Sequence, residues 1–436
     1  MSGKNCFEIL EKIFIPKVKQ EINEIKGYTM KYGNIVDNEK IIDEVLVSYF
    51  KAPKSYTAEN MCEINSHGGS IIMKKILELC LNNGADLAEP GEFTKRAFLN
   101  GRIDLLQAES VIDLINAKTE KEAQTGIKQL EGDLSKEISE IKQEILDVMV
   151  NIEVAIDYPE YDVEDVTNNQ ISEMLKRVKN RLIKLEKSFD EGKIIKEGIK
   201  TAIIGKPNAG KSSLLNAILR EERAIVTEYE GTTRDTIEEF VNINGIPLKL
   251  IDTAGIREAK DEVEKIGIQK TREIANSADL IIAIFDSTKE MTEEDLEILE
   301  IAKNKKSIII LNKIDLKQVL DENDENLKEF KDNIIKISAL NKIGIDKIYE
   351  QVTKLFRLNE INLGSELVIT NIRQKNLISK AIENVKNTEQ TIFNNMPLDI
   401  IAINIKDILE NLGSITGEIM SDEIIDEIFS KFCLGK

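Results

Sequence analysis

The sequence predicts an α/β domain set between helical segments and preceded by a small α+β stretch, and three observations carry that prediction. Between about 195 and 360, short apolar runs alternate with helical stretches: "TAIIG" (201–205), "PLKLID" (247–252), "LIIAIFD" (280–286) and "SIIILNKID" (307–315). That alternation is the signature of buried parallel strands with crossover helices. On both sides of it, over 99–194 and 361–436, apolar residues recur at spacings of three and four and Gly and Pro are scarce. Ahead of these, residues 1–98 mix strand-like and helix-like runs. A compact α/β unit with helical chain on either side reads as one domain inserted into another, discontinuous all-α domain.

The elements follow in order. "EVLVSYF" (44–50) is a strand candidate, and "SIIMKKILELCLNNG" (70–84) is an amphipathic helix that Gly84 closes as a C-cap. From "GEFTKRAFLNGRIDLLQAESVIDLINA" (91–117) the period turns helical and remains so to about 190. "DYPEYDVEDVTNNQ" (157–170) interrupts it and joins two long helices. After about 360 the chain is helical to its end.

Composition narrows the function classes. Lys and Arg total 59 against 78 Asp and Glu, a net charge of −19. Gripping nucleic acid over a broad surface takes clustered Lys and Arg, so that class is disfavoured, although a local patch or a partner can still meet RNA. Trp is absent and aromatics make up 5% of the chain, so Ile, Leu and Val must build the cores. The cysteines are Cys6, Cys62, Cys80 and Cys433; none lie at zinc-ligand spacing, and the lone His67 completes no metal cluster. So few cysteines in so long a chain make no disulfide framework, which points to a reducing cytoplasm. No run of 18 apolar residues and no signal-peptide core are visible, so no membrane is expected. Cys433 is followed by Leu, Gly and Lys, a poor fit to a prenylation box.

The strongest chemical signal is "TAIIGKPNAGKSSLLNAIL" (201–219), which holds Gly205-x-x-x-x-Gly210-Lys211-Ser212 between an apolar strand and a helix. Glycines there let backbone N–H groups, including those of Asn208, Ala209, Gly210 and Ser213, wrap phosphates at a helix N-terminus. Lys211 then reaches the β- and γ-phosphates and Ser212 ligates Mg²⁺. Three further stretches fall in order. In "EGTTRD" (230–235), Thr233 is a switch threonine that closes on Mg²⁺. In "KLIDTAG" (249–255), Asp252, Thr253, Ala254 and Gly255 end a strand, with Asp252 beside the metal and Gly255 on the γ-phosphate. In "LNKID" (311–315), Asp315 accepts both guanine N–H groups, Lys313 lies over the base and Asn312 supports them; Ser338 and Ala339 of "ISAL" (337–340) complete the base pocket. Any one stretch fits a solvated loop, but all four in register predict a GTPase with GTP as substrate.

Two departures bear on mechanism. Where many small GTPases place a water-orienting Gln, this chain has Ile256, which cannot hydrogen-bond. Glu264 in "REAKDEVEKIG" (257–267) is the replacement candidate, with a solvated helix charge as the other reading. No arginine finger is evident. Asn208 either holds a monovalent cation beside the phosphates or is a neutral loop residue.

These residues resemble the bacterial tRNA modification GTPases of the MnmE family, also called TrmE. The resemblance includes "YTAENMCEINSHGG" (56–69), "EPGEFTKRAFLNGRIDLLQAE" (89–109), "GKPNAGKSSLLNA" (205–217), "AIVTEYEGTTRD" (224–235), "DTAGIREAKDEVEKIG" (252–267) and the terminal "FCLGK". It implies an N-terminal folate-binding and dimerisation domain, a helical domain in two chain segments and an inserted Ras-like G domain. It further implies that K⁺ replaces the arginine finger, held by Asn208, Thr227, Tyr229 and Thr232, and that Glu264 orients the water. The family works with an FAD-containing partner, MnmG (GidA), to place an aminomethyl-type group on carbon 5 of the wobble uridine of certain tRNAs. The one-carbon unit comes from a 5-formyl- or methylene-tetrahydrofolate, whose site maps onto Glu63, Arg102 and the terminal Lys436. The tail is then expected to fold back to that site, bringing Cys433 with it, as a packing residue or a reactive thiol. His67 either shapes a Gly-rich turn or closes the folate site; without a G-x-S-x-G elbow, "HGG" is no hydrolase loop.

Members of the family begin with a Gly-rich strand and an Arg ahead of a segment like "SGKNCFEIL", whereas Met1 stands directly at that segment here. The missing piece is expected to bear on folate affinity and dimerisation. Ser66 stands where relatives often carry Cys, and Gln374 replaces a frequent His. The alternative function is a switch GTPase in ribosome assembly, which would need a basic RNA-binding appendage that the sequence does not display. A membrane-remodelling GTPase would need an apolar or polybasic element, also not seen.

Overall fold

The structure, a computed structural model, describes residues 1–18, 27–157, 164–219, 224–226, 239–251, 267–358 and 367–435. The chain divides into two compact units, one made of residues 1–112, 128–178 and 380–436, the other of 113–127 and 179–379.

The first unit starts with helix α1 (Cys6–Ile13) and a four-stranded antiparallel sheet in the order β1 (Phe14–Pro16), β2 (Thr29–Asp37), β3 (Lys40–Phe50), β4 (Met61–Asn65). β2 and β3 are joined at Asn38 and Glu39, both in the left-handed region at φ 45° and 73°, so the twist of the turn matches that of the strands. Alternation along β3 turns Val45, Val47 and Tyr49 toward α1 and α2 (Ser70–Asn82), where Leu10, Ile13, Cys62 and Leu79 complete a buried core. Helix α3 (Glu92–Leu99) packs on α14 (Asp422–Phe429) through Phe98 and Phe429, whose ring centroids lie 6.1 Å apart. Helix α6 (Asp133–Asp157) buries Ile138, Ile141, Ile145, Met149 and Ile152 at three- and four-residue steps, and packs on α13 (Leu398–Thr416).

The predicted helical stretch 91–190 resolves into α3, α4 (Leu105–Asn116), α5 (Glu120–Glu131), α6 and α7 (Glu164–Glu197). The predicted interruption at 157–170 is shorter than expected, because α7 starts at Glu164; the Asx-rich "TNNQ" is taken into the helix.

The second unit is built on a seven-stranded sheet in the order β11-β10-β9-β5-β8-β7-β6. β5 (Ile199–Ile204), β8 (Ile246–Leu250), β9 (Leu280–Asp286), β10 (Lys306–Asn312) and β11 (Ile334–Lys336) run parallel. β7 (Glu239–Ile243) and β6 (Ala224–Val226) are antiparallel, so the sheet is mixed rather than wholly parallel as the apolar runs suggested. The signal for the exception is Asn244-Gly245, at φ 52° and 83°, a two-residue hairpin turn between Ile243 and Ile246. Helices α8 (Lys211–Leu219), α9 (Gly267–Ser277), α10 (Glu293–Lys303) and α11 (Ile345–Leu355) belong to this unit, and α12 (Ile372–Phe393) begins in it. Two buried clusters, one holding Ile203, Leu214, Ile284 and Ile310 and the other Ala202, Ile281, Ile309 and Leu311, show the strand residues alternating between opposite sides of the sheet. Among the described residues no helix is long and apolar enough to cross a membrane.

Candidate functional site

In the second unit the parallel register brings the carboxyl ends of β5, β9 and β10 together, Ile204 beside Ala283 and Asn312 beside Asp286. The loops leaving these ends therefore meet at one edge, where ligands bind in open α/β sheets. The loop after β5 is Gly205–Gly210, and α8 starts at Lys211. A Cβ on Gly205 would stand 2.5 Å from the Ile284 carbonyl, so only glycine lets the loop leave the sheet this close to β9. Gly210 takes φ 109°, and a Cβ there would meet Asn312 Nδ2 at 2.1 Å.

Asn312 is the clamp of this edge. Its Nδ2 donates to the Ala209 carbonyl at 2.9 Å and its Oδ1 accepts from the Ala339 N–H at 3.0 Å. Three stretches that the sequence offered separately, "NAGKS", "LNKID" and "ISAL", are thereby joined by one buried side chain. Ser338 is fully buried; its N–H and carbonyl pair with Ile343, and its hydroxyl accepts from the Asn341 N–H. Asp315 is exposed at the same edge, free to meet a base from solvent.

Lys211 points back along its own loop and donates to the carbonyls of Gly205 at 2.6 Å and Lys206 at 2.8 Å. Burial alone holds its ammonium below the usual lysine range. A phosphate arriving there would favour the charged ammonium and replace two neutral acceptors by an anion. Ser212 and Ser213 are exposed in the first turn of α8, and Asn208 is exposed at φ 63°.

Lys313 departs from expectation in the detail of its partner. Its Nζ lies 2.6 Å from Asp286 Oδ2, while the residue itself takes φ 68°. Burial pushes the Asp286 carboxyl up, but Lys313 and two donors from Thr288 outweigh it and hold it below the usual carboxylate range. Ser287 adds two bonds to the Asn312 carbonyl, from its N–H at 3.0 Å and its hydroxyl at 2.6 Å. The turn Asp286–Thr288 thus scaffolds the loop that begins at Asn312. Sequence reasoning passed over it, taking "LIIAIFD" only as a strand; the signal was a polar cluster at a strand's carboxyl end. Thr227, Tyr229, Thr232, Thr233, Asp252, Thr253, Ala254, Gly255, Ile256 and Glu264 lie outside the described residues or their described side chains.

The first unit holds a cavity of about 550 Å³ lined by Tyr56, Cys62, Glu63, Cys80, Phe93 and Gly435, among others. The tail reaches it because the Gly91 N–H donates to the Cys433 carbonyl at 3.2 Å. Gly91 takes φ 70°, and a Cβ there would stand 2.7 Å from the Phe429 carbonyl, so the contact requires glycine. Phe432 is buried in the same contact, its ring 5.1 Å from that of Phe429. The Cys433 side chain is exposed and is not among the cavity's lining residues. Arg102 is also outside the lining; its guanidinium lies 4.8 Å over the Tyr56 ring and donates to the Tyr56 carbonyl at 3.0 Å. Lys436 lies outside the described residues. His67 is exposed, with its N–H and its ring Nδ1 both 2.8 Å from the Asp43 carboxylate. That double contact is the turn-shaping arrangement, one of the two readings its sequence context allowed. Among the described residues no cluster of three or more His, Cys, Asp or Glu could hold a metal.

Residues 1–102 match the family described as GTP-binding protein TrmE N-terminus, and residues 105–433 match the MnmE helical domain. The chain is 49% identical to the tRNA modification GTPase MnmE of Acetivibrio thermocellus over 440 residues, covering 100% of this chain and 95% of the relative. It is also 49% identical to the MnmE of Clostridioides difficile (strain 630) over 437 residues, with the same coverage. Among solved structures it is similar to the G domain of the T. maritima FeoB iron transporter, at 26% identity and a TM-score of 0.27, over 36% of this chain and 98% of that one.

Proposed function

The chain belongs to the MnmE (TrmE) family and is a GTPase acting in tRNA modification, and on that premise we propose how its two sites divide the work. GTP and Mg²⁺ are the family's substrate and metal. In the proposal the Gly205–Gly210 loop cradles the phosphates, and Lys211 leaves the Gly205 and Lys206 carbonyls for the β- and γ-oxygens. The Ser212 hydroxyl, at the first turn of α8, fits a hard oxygen-seeking cation, as does Thr233. Mg²⁺ supplies charge neutralisation at the phosphates. Asp315 reads guanine. K⁺ beside Asn208, with Thr227, Tyr229 and Thr232, stands in for an arginine finger, and Glu264 orients the attacking water.

The cavity of the first unit takes a tetrahydrofolate one-carbon donor. The observation that carries this reading is that Glu63 and the tail residue Gly435 line the same cavity, and a carboxylate suits the amide and amine edge of a pterin. Arg102, whose guanidinium lies over the Tyr56 ring, and Lys436 suit the glutamate tail of the donor. The homodimer works with an FAD-containing MnmG partner in the cytoplasm, and GTP turnover drives modification at carbon 5 of the wobble uridine. The partner supplies much of the tRNA contact, which accommodates a net charge of −19.

Titration of 5-formyl-tetrahydrofolate into the chain and into its Glu63→Gln variant tests the reading. Binding that the variant weakens tenfold or more supports it. Equal binding moves the ligand away from Glu63, and no binding by either chain overturns the folate assignment while leaving the GTPase intact.

A further inference from the structure

Lys206 stands inside the phosphate loop, directly after Gly205, yet its ammonium is turned to a helix. It donates to Thr292 Oγ1 at 2.7 Å and to Asp295 Oδ2 at 3.1 Å. Both acceptors belong to the start of α10, where they close a capping box: the same Asp295 oxygen accepts from the Thr292 N–H and hydroxyl, each at 2.9 Å. The cap is therefore complete without the lysine. What Lys206 adds is an attachment of the loop to α10. With its main chain it also holds the loop's turn, since its carbonyl accepts from Lys211 Nζ at 2.8 Å and from the Ala209 N–H at 3.3 Å.

We infer that Lys206 is a positioning residue for nucleotide binding, whose tether to Thr292 and Asp295 presets the phosphate loop in its open, cradle-like path. The inference rests on reading residues 205–212 as that loop. Its side chains are 27% and 12% exposed at Lys206 and Asp295, so solvent screens this pair less than an ordinary surface pair. A loop already fixed loses less freedom when a ligand orders it. The tether touches α10 rather than the phosphate side of the loop, so it favours GDP, GTP and the transition state alike. Such uniform binding lowers Kd and KM together and leaves kcat unchanged.

The test uses the full chain and four variants: Lys206→Met, Asp295→Asn, the two combined, and Lys206→Arg. Fluorescent GDP titration, steady-state GTP hydrolysis and thermal melting are measured for each. Lys206→Met and Asp295→Asn are each expected to raise the Kd for GDP and the KM for GTP about tenfold, with kcat within about twofold of wild type. The double variant should be no worse than Lys206→Met, because the lysine substitution already removes the contact that Asp295→Asn weakens. Arg at 206 should restore binding, and the apo melting temperatures should stay close together. Wild-type GDP affinity in Lys206→Met, or additive losses in the double variant, would overturn the tether. A fall in kcat at unchanged KM would overturn it too, and make the lysine a transition-state charge. If the wild-type chain binds no GDP, the phosphate-loop reading itself is lost.

Discussion

Asn312 Nδ2 donates to the carbonyl of Ala209 at 2.9 Å, fastening the loop after β10 to the Gly205–Gly210 loop through a side chain that is 2% exposed. The same amide's oxygen takes the Ala339 N–H. Truncation to Ala would leave two buried backbone groups without partners, at a cost of about 2 to 4 kcal/mol. Asn312→Ala should therefore lower the melting temperature and weaken GDP binding together. Gly210→Ala attacks the clamp from the other side, because its Cβ would stand 2.1 Å from Asn312 Nδ2. Melting and GDP titration of both variants check the point; normal GDP affinity in either would show that the two loops do not depend on the clamp.

Much of this site is legible in the sequence because phosphate and guanine recognition need fixed residue types at fixed spacings. Gly205, Gly210, Lys211, Asn312 and Asp315 are singled out by their motifs alone, and the parallel sheet brings their loops to one edge. Partners that are not in motifs stay hidden. Asp286 is 26 residues from Asn312 in the chain and meets Lys313 only through strand register. The hairpin at Asn244-Gly245 carries its own local signal, since both residues take positive φ as an Asn-Gly pair predicts. The tail contact at Gly91 is long-range, and no local pattern announces that Phe429 and Phe432 will cover that glycine.

The four thiols should separate cleanly by accessibility. Cys6, Cys62 and Cys80 are 3%, 0% and 6% exposed, and Cys433 is exposed. The Cys62 thiol is pushed far up by its hydrogen bond with Cys6 and by burial, and burial pushes Cys80 up as well. A thiolate is the reactive form, so both cavity-wall cysteines should be inert at neutral pH. A thiol-disulfide reagent added to the native chain should react fast with one group, and Cys433→Ser should abolish that phase. A fast phase that persists in the variant would mean that the cavity wall opens in solution.

Glu122 sets a pH dependence for the second unit. The residue is 6% exposed, its Oε2 accepts from the Lys118 N–H at 2.7 Å, and its own N–H donates to Thr119 Oγ1 at 3.2 Å. Burial pushes its carboxyl up to about 7, against the pull of the Lys118 N–H and of the Lys118 and Lys196 charges, while Asp113 pushes the same way as burial. Asp113 is itself paired with Lys196 at 2.8 Å, which leaves little of that cation for Glu122. An unfolded Glu ionises near 4.3, so the fold favours the neutral acid. The stabilisation is full below that value, falls as pH rises and is lost above about 7. Its size is about 3.5 kcal/mol, from some 2.5 pH units at about 1.4 kcal/mol each. Glu122→Gln keeps an acceptor for the Lys118 N–H and cannot ionise. The variant should match wild type near pH 5 and melt progressively higher than wild type toward pH 8. The segment it stabilises also carries Lys118, whose ammonium lies 3.5 Å from the centre of the Phe240 ring in β7. Hydrogen exchange in 240–250 should accordingly slow in Glu122→Gln at pH 8 and be unchanged at pH 5. A melting gap that stays constant or narrows with pH would show that Glu122 ionises in the fold at no cost.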